Sequence, residues 1–126
     1  MEFPETLKYS KDHAWLALEG DLAKIGITDF AQNELGEIVY VDLPRIGQTF
    51  KLNEIYGSVE AVKTTSDLFM PVSCQVVEIN PRLKDEPTLI NSSPSSEGWI
   101  LKIKLENAIE VNSLLSGGEY KASVNG

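Results

Sequence analysis

A chain of 126 residues with 42% hydrophobic and 24% charged side chains is long enough for one core and short for two, so residues 1–126 are expected to form a single domain. Its 11 basic against 19 acidic residues give a net charge of −8, which disfavours nucleic acid and anionic membrane surfaces as partners. The lone cysteine, Cys74, excludes an internal disulfide, and no run reaches the roughly 18 apolar residues a membrane helix needs.

Trp15 to Leu18 and Leu22 to Ile27 are β-prone and joined by Glu19-Gly20-Asp21, which predicts a hairpin. Asp29 is placed to cap a short helix, with Gln32 at the reciprocal capping-box position and Gly36 just past the end. Strands are predicted from Ile38 to Leu43, closed by Pro44-Arg45-Ile46-Gly47, and from Thr49 to Leu52. An apolar run from Ile55 to Val62 then leads to Lys63, three hydroxylated residues (Thr64, Thr65, Ser66), Asp67 and a second apolar run, Leu68 to Val72. Two β-prone runs around a short polar centre read as a hairpin even without Asn-Gly or Asp-Gly, and Lys63 falls at or next to its tip.

Gln75 to Ile79 is a further strand, and Asn80-Pro81 can start a helical turn. Lys84 to Gly98, rich in Pro, Ser, Asn and acid, reads as a long surface loop. Trp99, Leu101, Ile103 and Leu105 alternate with Lys102 and Lys104, the clearest half-buried strand of the chain. Asn107 with Glu110 forms a second capping box, predicted to open a C-terminal helix that carries Ile109, Leu114 and Leu115 and meets Gly117-Gly118. Many short strands at turn-punctuated spacing predict an all-β sandwich or barrel with short helices around it.

A lysine at a hairpin tip is read in two ways. It is a solvated surface charge, or it is an amine offered to a modifying enzyme, since Glu60 lies three residues before it and Asp67 four after, on small, uncluttered neighbours. Lys63 is the single lysine of this stretch.

The segment Val59-Glu60-Ala61-Val62-Lys63-Thr64-Thr65-Ser66-Asp67 resembles the lipoyl-attachment segment of the glycine cleavage system H protein family. The resemblance extends over nearly the whole chain: Leu7-Lys8-Tyr9-Ser10 with His13 and Trp15, Ile25-Gly26-Ile27-Thr28-Asp29, Val41-Asp42-Leu43-Pro44, Met70-Pro71-Val72-Ser73, Val77-Glu78-Ile79-Asn80 and Gly98-Trp99-Ile100 match its successive blocks. It implies a flattened sandwich of two antiparallel sheets, the barrel-sandwich hybrid of lipoyl and biotinyl carriers, with short peripheral helices. It also implies lipoic acid amide-linked to Lys63, and no catalysis by the chain itself. The arm would carry an aminomethyl group from a pyridoxal-phosphate-dependent glycine decarboxylase (P protein) to a tetrahydrofolate-dependent aminomethyltransferase (T protein), with dihydrolipoamide dehydrogenase (L protein) reoxidising the dithiol. A lipoylating enzyme would load Lys63, with Glu60 used in its recognition. The expected setting is a monomer in the cytoplasm, or in the mitochondrial matrix of a eukaryote.

Three positions depart from the family pattern. Ala14 stands where Glu is common between the His and Trp of the N-terminal segment. In the resemblance that acid helps Asp67 and His13 hold the cationic aminomethyl-lipoyl group in a cleft, and losing one carboxylate near a partly exposed cation costs about 1 kcal/mol. Phe30 replaces a frequent His and reads as a packing residue. Cys74 replaces a Gly, so a β-carbon is expected to interfere with a positive φ or with approach of the lipoylating enzyme, slowing lipoylation. Two other readings compete with the carrier: a lipoate donor or scaffold in a lipoyl relay or redox signalling, which has no use for an aminomethyl cleft, and acid–base catalysis by Glu60 and Asp67.

Overall fold

The computed structural model describes residues 3–125. In chain order the elements are β1 (Lys8–Tyr9), β2 (Ala14–Glu19), β3 (Leu22–Ile27), α1 (Asp29–Leu35), β4 (Ile38–Asp42), β5 (Thr49–Phe50), β6 (Ile55–Ala61), β7 (Thr65–Phe69) and β8 (Cys74–Ile79). A 3-10 turn (Pro81–Leu83), α2 (Leu89–Ser92), β9 (Leu101–Leu105), a second 3-10 turn (Ala108–Ser113) and α3 (Gly117–Asn125) complete it. The strands form two antiparallel sheets, one of six strands in the order β1-β2-β3-β9-β8-β5 and one of three in the order β4-β6-β7. This is the strand-dominated sandwich of two antiparallel sheets that the family resemblance implies.

Alternation along the strands builds the core. Ala23 and Ile25 of β3, Leu101 and Ile103 of β9, and Cys74 and Val76 of β8 join Tyr56, Val59 and Leu68 of the smaller sheet in one buried cluster. Each large apolar side chain withdrawn from water there contributes about 1.5–3 kcal/mol. A second cluster fixes the C-terminal helix: the Tyr120 ring stacks on Tyr9 at 4.9 Å, with Phe3 edge-on to Tyr120 at 4.8 Å. Trp15 is buried with them and donates its indole N–H to the Pro94 carbonyl at 2.7 Å.

Four expectations need correction. Thr28, not Asp29, caps α1: its extended backbone places Oγ1 to accept the Ala31 N–H at 3.2 Å, while Asp29 is already helical and accepts from Gln32 Nε2 at 2.6 Å. The strand expected from Thr49 to Leu52 stops at Phe50, because the Leu52 N–H donates to Ser73 Oγ and Asn53 turns the chain with φ 71°. The surface loop from Lys84 to Gly98 contains α2, whose Ile90 is fully buried. Finally, Asn107 opens only a 3-10 turn with Ile109 exposed, and Glu110 turns away from the cap to accept the Ser73 N–H at 2.7 Å and hydroxyl at 3.0 Å. The true C-terminal helix begins at Gly117 instead of ending there. A side chain at Gly117 would collide with the Phe3 carbonyl, so glycine is there for close packing of the N-terminal segment.

Candidate functional site

β6 and β7 form the hairpin around Lys63, with Ser58 opposite Asp67, Val59 opposite Ser66 and Glu60 opposite Thr65. The Ala61 N–H donates to the Thr64 carbonyl at 2.7 Å, leaving Val62 and Lys63 as a two-residue tip. Neither tip residue has a positive φ, which is why the turn forms without the Gly or Asn that most two-residue hairpins require. Lys63 is exposed and, among the described residues, makes no salt bridge.

The tip is braced from the side by the link between α1 and β4. Val62 N–H donates to the Glu37 carbonyl at 3.0 Å. Gly36, with φ +83°, ends α1 by donating its N–H to the Gln32 carbonyl at 2.9 Å. A β-carbon on Gly36 would stand 3.3 Å from Lys63 Cε, so the lysine stem lies along the gap left by the missing side chain. Asn91 of α2 fixes this link: its Oδ1 accepts the Ile38 N–H at 2.9 Å, and its Nδ2 donates to the Gly36 carbonyl at 2.8 Å and Gln32 Oε1 at 3.0 Å.

Beside the tip lies a cleft of about 220 Å³ between α1, the start of β2 and β7. Its walls are apolar where Ile27, Ala31 and Leu35 face Val59 and Leu68. Its polar lining residues include His13, Ser66 and the acids Asp12, Glu34 and Asp67. Leu35 immediately precedes Gly36, so the lysine stem runs past the edge of this cleft. β7 lines it through Ser66–Phe69, and as the outer strand of the smaller sheet it has one backbone edge unpaired by a strand.

His13 and Asp67, far apart in the chain, thus reach one cavity, together with Ala14 and Phe30. His13 adopts φ 69° and bonds through Nδ1 to the Tyr120 hydroxyl at 2.7 Å, while its ring packs against Phe30 at 5.1 Å. Ala14 is buried at the start of β2. Glu60 is exposed on the outer side of β6, and it does not line the cleft. Glu60 and Asp67 share no hydrogen bond, and the paired acid–base reading gains nothing from their placement.

Cys74 is the expectation the structure corrects. Its side chain is fully buried, and its φ is not positive, so it offers no surface to a docking enzyme and no strain for glycine to relieve. Burial, with Glu106 and Glu110 adding repulsion, pushes its thiol up to about 12. Sequence reasoning missed Glu34 and Asp12. Glu34 could be found from helical spacing, since it lies three and four positions after Ala31 and Phe30 on α1; Asp12 sits in an irregular turn with no periodicity to read.

Residues 7–126 match the family model described as glycine cleavage H-protein. The chain is 50% identical over 125 residues to a glycine cleavage system H protein of Bacteroides fragilis, covering 99% of each. It is 48% identical over 124 residues to one of Brevibacillus brevis, covering 98% of each. A crystal structure of a glycine cleavage system H protein from Mycobacterium marinum superposes with a TM-score of 0.89 at 35% identity, covering 97% of this chain and 98% of that one.

Proposed function

The chain belongs to the glycine cleavage H-protein family, and from that premise we propose that Lys63 is the attachment point of a lipoyl arm that shuttles an aminomethyl group within glycine cleavage. The observation that carries the reading is an exposed amine without an ion-pair partner among the described residues, on a two-residue tip braced by Glu37 and Gly36. An amide formed there removes a charge that nothing in the fold uses.

The residues present fit such an arm. When bound, the lipoyl group supplies the disulfide–dithiol chemistry that accepts and releases the cargo. The hairpin supplies a rigid origin, so a tethered group samples a small volume at high effective concentration around each docked partner. Apolar walls at Ile27, Ala31 and Leu35 suit the hydrocarbon part of the arm, and Asp67 with Glu34 and Asp12 lends the cleft negative charge suited to a protonated amine. These three carboxylates mean that Ala14 does not empty the cleft of acid, which favours the shuttle over a donor or scaffold role. Glu60, exposed beside the tip, is available to the lipoylating enzyme. The partners that load, unload and reoxidise the arm are then glycine decarboxylase, the aminomethyltransferase and dihydrolipoamide dehydrogenase, and the chain itself contributes no catalytic step.

The test is peptide mapping of protein produced in cells supplied with lipoate, followed by glycine–bicarbonate exchange with glycine decarboxylase. Lipoate is expected on Lys63 alone, and Lys63→Arg is expected to lose both modification and exchange. Exchange retained by Lys63→Arg would refute the carrier role, and lipoylated protein that never supports exchange would favour the donor reading.

A further inference from the structure

Three side chains from three distant parts of the chain form a hydrogen-bonded line that ends at the cleft. Thr28 Oγ1 lies 2.7 Å from the Tyr120 hydroxyl, which lies 2.7 Å from His13 Nδ1. Thr28 and Tyr120 are both buried, and the Tyr120 ring is immobilised between Tyr9 and Phe3.

Counting donors gives the line a direction. Thr28 Oγ1 already accepts the Ala31 N–H as the cap of α1. A hydroxyl has one hydrogen to give, and among the described residues Tyr120 is the acceptor within reach of it. Thr28 therefore donates to Tyr120, and Tyr120 donates to His13 Nδ1. The reverse direction strands the Thr28 hydrogen in a buried site with no acceptor, which is costly. Burial also pushes the Tyr120 phenol up, keeping the hydroxyl hydrogen this line needs. With Nδ1 an acceptor, the neutral imidazole carries its own hydrogen on Nε2. Nε2 has no hydrogen-bond partner among the described residues, and His13 lines the cleft.

We propose that Tyr120 is a positioning residue for the carrier cleft: with Thr28 it fixes His13 as the Nε2–H tautomer, so that the imidazole offers the arm a hydrogen-bond donor from the cleft wall. This rests on the reading of the cleft as the arm's resting place. The left-handed backbone of His13 is tied by its carbonyl to the Thr28 N–H at 2.9 Å, which holds the residue at the cleft wall.

His13 is the sole histidine, so nitrogen-15 NMR of the full chain at alkaline pH reads its tautomer without overlap. The unmodified protein is expected to show a protonated Nε2 and an accepting Nδ1. Tyr120→Phe keeps the ring and removes the hydroxyl, and should lower the Nε2–H to Nδ1–H ratio about fivefold, the effect of one hydrogen bond. Lipoylation of Lys63 should then shift the Nε2 resonance of the native protein. An Nδ1–H tautomer in the native protein overturns the proposal, even where Tyr120→Phe does not fold. So does an Nε2 resonance that stays unchanged when the arm is attached. Absence of lipoate from Lys63 would instead defeat the carrier reading, and the tautomer of the unmodified chain still decides the direction of the line.

Discussion

Asn91→Ala removes the side chain that, among the described residues, hydrogen-bonds α2 to the brace behind Lys63. Three hydrogen bonds are lost, to the Ile38 N–H, the Gly36 carbonyl and Gln32 Oε1. They are not equivalent. Ile38 is fully buried, so its N–H is left without an acceptor at about 1–3 kcal/mol. The Gly36 carbonyl and the half-exposed Gln32 side chain can turn partly to water, adding roughly 0.5–1 kcal/mol together. The expected destabilisation is therefore about 1.5–4 kcal/mol, which at a urea slope of about 2 kcal/mol/M lowers the unfolding midpoint by about 0.75–2 M. Asn91→Asp discriminates further: it retains an acceptor for Ile38 but turns an oxygen toward the Gly36 carbonyl, and should also destabilise. Equilibrium urea unfolding followed by the fluorescence of Trp15 and Trp99 measures both. A loss below about 0.5 kcal/mol for Asn91→Ala would refute the reasoning, because a buried N–H cannot lose its acceptor so cheaply.

The Cys74 thiol, buried and pushed up to about 12, should resist alkylation in the folded protein and react fully in denaturant; rapid native labelling would contradict its placement. Cys74→Gly should cost about 2–3 kcal/mol through the lost side chain and a flexible strand position, yet be lipoylated at the native rate while folded, and a clear rate difference would restore a role for this position in recognition. Tyr9 is raised to about 12, and Tyr56 and Tyr120 are raised by burial. Folded-state values above the unfolded ones stabilise fully at lower pH, so stability should fall as pH rises from about 9 toward 12. Urea midpoints across that range check the sign, and a midpoint that rises with pH would contradict it.

The hairpin is legible in the sequence because Ile55 to Val62 and Leu68 to Val72 are runs of β-prone residues around a polar centre, a pattern that local propensity alone decides. The whole-chain resemblance supplies Lys63 and the pairing of His13 with Asp67, which no local pattern relates. What stays hidden is tertiary. α2 is four residues long, and its place comes from burying Ile90 and from the Asn91 side chain, so a stretch of Pro, Ser and Asn conceals it. Thr28 displaces Asp29 as cap by one position, a shift typical of helix ends. Gly117 looks like a stop signal in sequence and acts as a contact surface in the fold, because the approach of Phe3 and Glu5 explains it. Cys74 escapes sequence reasoning for the same reason: its role depends on which sheet it faces.

The outer position of β7 has an implication for how the cleft should be probed. Four consecutive residues of that outer strand, Ser66–Phe69, line the cleft, so its exposed backbone edge is a candidate part of the wall, with amides and carbonyls that are the same whatever residue occupies Ser66 or Leu68. Alanine scanning leaves those groups in place and will therefore understate what this wall contributes. Exchanging single amides for esters along β7, which deletes a donor and spares every side chain, would expose a contribution that ordinary mutagenesis leaves invisible.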